Sequence, residues 1–198
     1  VPSHPPKISI VIPCRRTGNP YVTLKSLGAQ TYQDFEVIVS WDVDDKGANY
    51  ARNRGSEKAR GQYLLFSDDD IDWNPLALEW LMAALEANPT KAYSYGAYDG
   101  HGGVQCNREW DADALRVNNY ISTMSLIRKE VFPGFDESIR RLQDWDLWLT
   151  LLEQGLGGVY CGGLIFVTKP RPNGITYGDS ISYADAERLV KEKHGLNA

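Results

Sequence analysis

The sequence predicts an α/β fold built on a doubly wound, mostly parallel central sheet flanked by helices, followed by a less regular second half. Three observations predict it. Short β-branched runs alternate with helical patterns three times in the first half of the chain. Asn-Pro pairs, Asn19-Pro20 and Asn74-Pro75, stand where two of the helices must open. Two acidic clusters follow the second and third apolar runs, the positions at which open parallel sheets present ligand-binding loops.

The elements follow in order. Ile8 to Ile12 is a β-branched run too short for a helix, and Pro13 is expected to end it. Asn19-Pro20 then opens a helix through about Gln30. Phe35 to Trp41 reads as a second strand. Ala48, Ala51, Gly55 and Ala59 put small residues on one face of a second helix, which suits close packing on a sheet. Tyr63 to Phe66 reads as a third strand. Leu78, Met82 and Leu85 form the stripe of a third helix that stops at Asn88-Pro89. Beyond it, Lys91 to Ala97, Tyr120 to Ile127 and Val159 to Val167 read as strands. Leu147, Trp148, Leu151 and Leu152 make a helix ended by Gly155, Pro133-Gly134 is a turn, and Ser182 caps a last helix.

At 198 residues the chain has the length of one generous domain, and 42% hydrophobic with 24% charged residues is an ordinary globular composition. The net charge is -5, from 26 acids against 21 bases. Seven of those acids are Asp42, Asp44, Asp45, Asp68, Asp69, Asp70 and Asp72; setting them aside leaves 19 acids against the 21 bases. The deficit is therefore local. Without a Lys/Arg block, it argues against nucleic acid as a partner. No apolar run has the ~18 residues of a membrane span, and no signal-peptide pattern opens the chain. Cys14, Cys106 and Cys161 are odd in number, widely spaced and without a CxxC. They read as thiols in a reducing, cytoplasmic setting, not as a disulfide framework or zinc site.

Three adjacent carboxylates at a strand end, Asp68-Asp69-Asp70, repel one another, and a bound hard cation is the simplest way to keep them ionised. In extended backbone Asp68 and Asp70 would face the crevice together. Mg²⁺ or Mn²⁺ held by one or two carboxylates leaves positions for phosphate oxygens, so a nucleoside diphosphate completes the site. Turn formation and helix capping account for Asp72, and for Asp44 and Asp45 before Gly47, but not for three acids in a row. Asp144, in Gln143-Asp144-Trp145-Asp146, is either an N-cap or a general base. The ring of Trp145 suits a sugar face and would lower the local dielectric, which favours the base; Trp148 fits the core stripe.

IVIPCRR, FEVIVSWD, ARNRGSEKARGQYLLFSDDD and QDWDLWL, in this order and spacing, resemble a family 2 glycosyltransferase of the GT-A fold, from about Lys7 to about Gly155. The resemblance implies a single GT-A domain over 1–198, with a nucleotide-binding half (1–96) and an acceptor-binding half (97–198). It implies a hexosyltransferase-like, inverting transfer of a sugar from a nucleotide donor to an acceptor hydroxyl in glycan or polysaccharide biosynthesis, with Mn²⁺ or Mg²⁺. By the family pattern Pro13, with Cys14 and Arg15, lines the donor pocket. Asp42 inherits the acid that hydrogen-bonds the base, in a UDP- or dTDP-type donor, and Trp41 stands where another acid is usual. Asp68 and Asp69 lie near the donor and Asp70 binds the metal. Asp144 is the catalytic base, with Gln143 in place of the usual Glu, and Trp145 faces the acceptor. Arg171 either folds over the diphosphate or is an exposed loop arginine. His101 is a weak candidate metal ligand, and His194 is read as stabilising a helix end. The QxxRW motif of processive synthases is absent. The competing readings are a sugar-nucleotide pyrophosphorylase, for which CRRTG is a poor phosphate loop, and a non-catalytic carbohydrate-binding module.

Overall fold

The computed structural model describes residues 4–100, 103–168 and 181–196. Its first half runs β1 (Ile8–Arg15), α1 (Tyr21–Leu27), β2 (Phe35–Asp42), α2 (Ala48–Glu57), β3 (Tyr63–Phe66), β4 (Asp72–Trp73) and α3 (Ala77–Ala87). The second half runs β5 (Tyr93–Gly100), β6 (Gly103–Gln105), α4 (Ala112–Val117), β7 (Leu126–Arg128), a 3-10 turn (Lys129–Val131), α5 (Gln143–Glu153), β8 (Gly158–Val167) and α6 (Tyr183–Lys193).

The strands form one sheet in the order β2-β1-β3-β7-β5-β8-β4, with β6 paired onto β5. β1 lies parallel to β2 and β3, and β5 parallel to β8. The β7, β4 and β6 pairings are antiparallel. Followed across the sheet, β1, β2, β3, β5 and β8 point one way, so the mostly parallel sheet expected from the pattern is present. The chain steps from β1 out to β2 and back across to β3, which puts a topological switch beside β1 and a crevice at the carboxyl ends of these strands.

Strand alternation sorts the core into two layers. Ile8, Ile10, Ile12 and Leu65 face α1 and α3, where Leu27, Leu78, Leu81 and Leu85 close the layer. Val11, Leu64 and Phe66 face the other side, with Trp145, Leu147 and Trp148 of α5. Helix α2 lies close on β1. A Cβ at Gly55 would meet Val11 Cγ1 at 2.3 Å, so the small-residue face is what permits this approach. Gly155 ends α5 in the left-handed conformation expected of a C-terminal glycine, with φ +77°. The Ser182 hydroxyl accepts from Asp185 N and caps α6 as expected.

Three expectations need correction. Pro13 does not end β1, which continues to Arg15. The carbonyls of Lys7 and Val11 accept from Tyr63 N and Ser67 N, so odd positions of β1 address β3. Pro13 falls in that series beyond Phe66, where β3 has ended, and its missing N–H breaks no ladder bond. Tyr120 to Ile127 is not a strand before Leu126. Ile121 N donates to Asn119 Oδ1, Met124 N to Ser122 Oγ, and Ser125 Oγ to Ser122 O; these local side-chain bonds compete with a sheet ladder. Asp72 is not a helix cap: it pairs with Val167 in β4, and Asn74 Oδ1 takes Leu76 N instead.

Candidate functional site

The three-aspartate segment leaves β3 and turns at once, so Asp68 and Asp70 are not two positions of one extended strand, contrary to the expectation from sequence. The buried Thr23 of α1 pins this turn: its Oγ1 donates to Asp68 O at 2.9 Å and accepts from Ile71 N at 2.9 Å. Ser26 Oγ adds a bond to Ile71 O, and Trp73 Nε1 donates to Ser67 Oγ. All three aspartates are left half-buried. Asp68 Oδ1 accepts from Arg52 Nη2 at 2.8 Å. Asp69 Oδ2 lies 3.7 Å from Cys14 Sγ. The loop after β1 crosses here, and a Cβ at Gly18 would stand 2.8 Å from Asp69 Oδ2 and 2.6 Å from Cys14 Sγ. The carboxyl ends of β1 and β3 therefore meet at Asp69.

Pro13 is half-buried and Arg15 exposed at the end of β1. Cys14 is 1% exposed, so its side chain belongs to the wall and the donor contact expected of it would fall to its backbone. Asp42 is also buried. Its two oxygens accept from Lys46 N at 2.9 Å and Gly47 N at 2.7 Å, which closes the loop that delivers α2; each oxygen keeps one lone-pair direction for anything else. Trp41 beside it is 47% exposed. Asp44 and Asp45 are exposed loop residues, as expected, with Asp45 at φ +56°.

Asp144 stands in the first turn of α5, where its Oδ1 accepts from Trp145 N at 2.9 Å. It does not cap the helix from the N-cap position; that position is Leu142, at φ +60° and ψ +28°. Burial pushes the Asp144 carboxyl above the usual 3.8, against the lowering effect of hydrogen bonds from Trp145 N and the Asn119 side chain and of the Arg52 charge. Tyr98 is pushed up to about 12, by burial first, then by Cys106 and Asp144. Cys106 is likewise pushed up to about 12, by burial first and in part by Asp144. Tyr98, Cys106 and Asn119 thus neighbour Asp144. The charge of Arg52, which is paired to Asp68, also acts on Asp144.

Trp145 is the clear correction. It is 0% exposed, and its Nε1 donates to Leu115 O of α4 at 2.6 Å. Its ring is packed in the core and offers no face to an acceptor. Asp146 is 3% exposed and faces α6, with Lys193 Nζ at 2.7 Å and His194 Nε2 at 2.9 Å. His194 Nδ1 also meets Glu153 Oε1 at 2.7 Å, so this histidine pins α6 to α5 and does more than complement a helix dipole. Arg171 and His101 lie outside the described residues.

Among the described residues, no group of three or more His, Cys, Asp or Glu side chains could hold a metal ion. The described residues therefore form no all-protein cage. Asp70, with Asp69 next to it, suits a hard divalent ion whose remaining positions go to water and phosphate oxygens. Sequence reasoning assigned no role to Arg52, Asn49, Asn119 or Thr23. For the first two a signal existed: Asn49, Arg52 and Asn53 form a polar stripe beside the Ala/Gly face of α2, and Asn49 and Arg52 are both buried.

Comparisons with known proteins agree with this architecture. Residues 43–134, from the loop after β2 to the turn before α5, match the model of glycosyl transferase family 2. An "Uncharacterized glycosyltransferase" of Haemophilus influenzae is 27% identical over 189 residues; the match covers 74% of this chain, which spans 62% of that protein's length. The crystal structure of S. aureus TarS 1-349 in complex with UDP-GlcNAc superposes with a TM-score of 0.72 at 15% identity, over 94% of this chain and 66% of the other. The mannosyltransferase PcManGT of Pyrobaculum calidifontis, in complex with GDP-Man and Mn²⁺, superposes with a TM-score of 0.63 at 13% identity, over 97% of this chain and 62% of the other. At these identities the likeness to the solved structures is one of fold.

Proposed function

Because the chain carries a family 2 glycosyltransferase domain of GT-A fold, we propose that it transfers a sugar from a nucleoside-diphosphate donor to an acceptor hydroxyl, with inversion, in glycan biosynthesis. One observation carries this reading: the buried cation Arg52 is paired to Asp68 of the aspartate turn and its charge also acts on the enclosed carboxylate of Asp144. The donor lies on the side of residues 1–96, over Pro13, the Cys14 backbone, Arg15, Asp42, Asp68 and Asp69. The acceptor enters from the side of residues 97–198.

A divalent ion, Mn²⁺ or Mg²⁺, held by Asp70 would supply charge neutralisation for the departing diphosphate. The chain's own residues do the rest. Asp144 takes the proton of the acceptor hydroxyl as that oxygen attacks the anomeric carbon from the face opposite the leaving group. Its raised pKa makes it a stronger base than an exposed aspartate. Thr23, by fixing the aspartate turn on α1, holds the donor side in one geometry, and such positioning lowers the entropic barrier.

The test is a thermal melt with UDP, dTDP or GDP, each with and without Mn²⁺. Metal-dependent stabilisation by a diphosphate is expected, amounting to about 2.7 kcal/mol at a ligand concentration of about 100 times Kd. Stabilisation by free sugars alone, with no response to any nucleotide, would overturn the reading in favour of a carbohydrate-binding module.

A further inference from the structure

Helix α2 ties the two sides of the crevice together through side chains that packing alone does not require. Asn49, 6% exposed, uses its whole amide. Its Nδ2 donates to Asp136 O at 2.8 Å and to Ile139 O at 2.7 Å, and its Oδ1 accepts from Arg52 Nη1 at 3.0 Å. The other arm of the same guanidinium holds Asp68 at 2.8 Å. One turn along, Asn53 takes both backbone groups of Phe135: its Nδ2 donates to the carbonyl at 2.9 Å and its Oδ1 accepts the N–H at 2.8 Å.

The loop so gripped, residues 133–142, has no regular structure of its own. It ends at Leu142, a bulky residue held at φ +60°, and Asp144 follows within the first turn of α5. A left-handed leucine persists only where its surroundings impose it. The aim of Asp144 is thus set by the loop, and the loop by α2.

We propose that Asn49 is a positioning residue that couples the donor carboxylates to the base, through the chain Asp68–Arg52–Asn49–loop 136–139–Asp144. This rests on the transfer reading above and adds to it the route by which an occupied donor site sets the base. Arg52 is suited to transmit a change. Its Nε is buried without a hydrogen-bond partner among the described residues, so the guanidinium is held by its two Nη contacts and by the Phe135 ring 5.4 Å away. A donor that draws on Asp68 shifts the balance between those two Nη contacts, and Asn49 carries the shift into the loop.

Two variants cut the chain at different links. Asn49→Asp keeps an acceptor for Arg52 and deletes both donors to the loop. Arg52→Lys keeps a cation near Asp68, but a single ammonium cannot span Asp68 and Asn49 as a fork does. Each is compared with the wild type by calorimetric binding of UDP and of GDP with Mn²⁺, by amide hydrogen exchange in residues 133–146 with and without that nucleotide, and by kcat and KM for the donor. In the wild type, the nucleotide that binds is expected to slow exchange in 133–146. In Asn49→Asp, donor KM stays within about threefold, that protection is lost, and kcat falls by roughly tenfold or more, the scale of a small misplacement of a reacting group. Should Asn49→Asp fold poorly, Arg52→Lys is expected to show the same loss of protection. Nucleotide-induced protection and kcat equal to wild type in either folded variant would overturn the coupling alone. A wild type that binds no nucleoside diphosphate would overturn the transfer reading and the coupling with it.

Discussion

Arg52 Nη2 stands 2.8 Å from Asp68 Oδ1, with the arginine side chain 3% exposed and the aspartate side chain 45% exposed. A cation this buried needs its anion, because an unpaired buried charge is costly. Asp68 is therefore held by a cation from within the fold. Under the proposed transfer reading, the family pattern assigns the divalent ion to Asp70.

Asp70→Ala should abolish the part of nucleotide stabilisation that depends on Mn²⁺ and leave any part seen without metal. Melting curves with UDP, with and without Mn²⁺ or a chelator, read this directly. Retention of the metal-dependent shift would move the ligand to Asp69.

Asp144→Asn should preserve donor binding and lower kcat by ~10²-fold or more. The wild-type pH profile carries a second sign. The base works ionised, and burial raises its pKa above the ordinary 3.8. The acid limb of kcat should therefore fall at a pH higher than an exposed aspartate would give. Near-normal turnover by the variant would remove Asp144 as the base. Asp146 is then no simple substitute, since Lys193 and His194 already occupy it.

Gly55→Ala sets two effects against each other. Alanine favours a helix over glycine by ~1 kcal/mol. The new methyl would meet Val11 Cγ1 at 2.3 Å, in a wall of β1 that has no room to yield. Overpacking costs of ~1–3 kcal/mol make the clash the larger effect, and a net loss of stability should appear in urea denaturation. An unchanged or raised midpoint would mean that α2 lifts off β1 without penalty.

His194 joins α6 to α5, and its titration gives that joint a pH dependence. Burial alone would lower its pKa, but hydrogen bonds to Asp146 and Glu153 and their charges raise it above the ordinary 6.5. The stabilisation is then fully present below the unfolded value of ~6.5 and is lost as pH rises through the raised folded value. Urea midpoints should fall across that window, and His194→Gln should flatten the fall. A variant whose midpoints keep the wild-type slope would show that another group titrates there.

Much of the site was legible in local sequence, and what was not has a common cause. Three aspartates after a short apolar strand marked the candidate donor side, because the signal needs only adjacency. The role of α2 was hidden because its partners are distant: Asn49 binds carbonyls at 136 and 139, and Arg52 the carboxylate of Asp68. Helix α4 escaped notice although Asp111 caps it and Asp113 and Arg116 suit its ends. Six residues with one buried leucine are too few for a periodic pattern.

Trp145 shows the same limit from the other side. Residues 145, 147, 148, 149 and 151 of α5 are all buried, so this helix has little free face for tryptophan to display. The sheet covers one side, where Tyr93 stacks on Trp148 at 4.4 Å, and α4 covers another. Nothing near Trp145 in the chain announces either neighbour.

By itself the sequence determined the alternation of strands and helices, the mostly parallel sheet and the placing of acids at strand ends. These follow from periodicity, capping and turn chemistry, which act over a few residues. Only the tertiary structure decided which partners engage each carboxylate. Asp42 is engaged by Lys46 N and Gly47 N, Asp68 by Arg52, and Asp146 by Lys193 and His194. The reason is electrostatic: a carboxylate's role depends on its solvent and on the donors within hydrogen-bond reach, and packing brings those donors from distant parts of the chain.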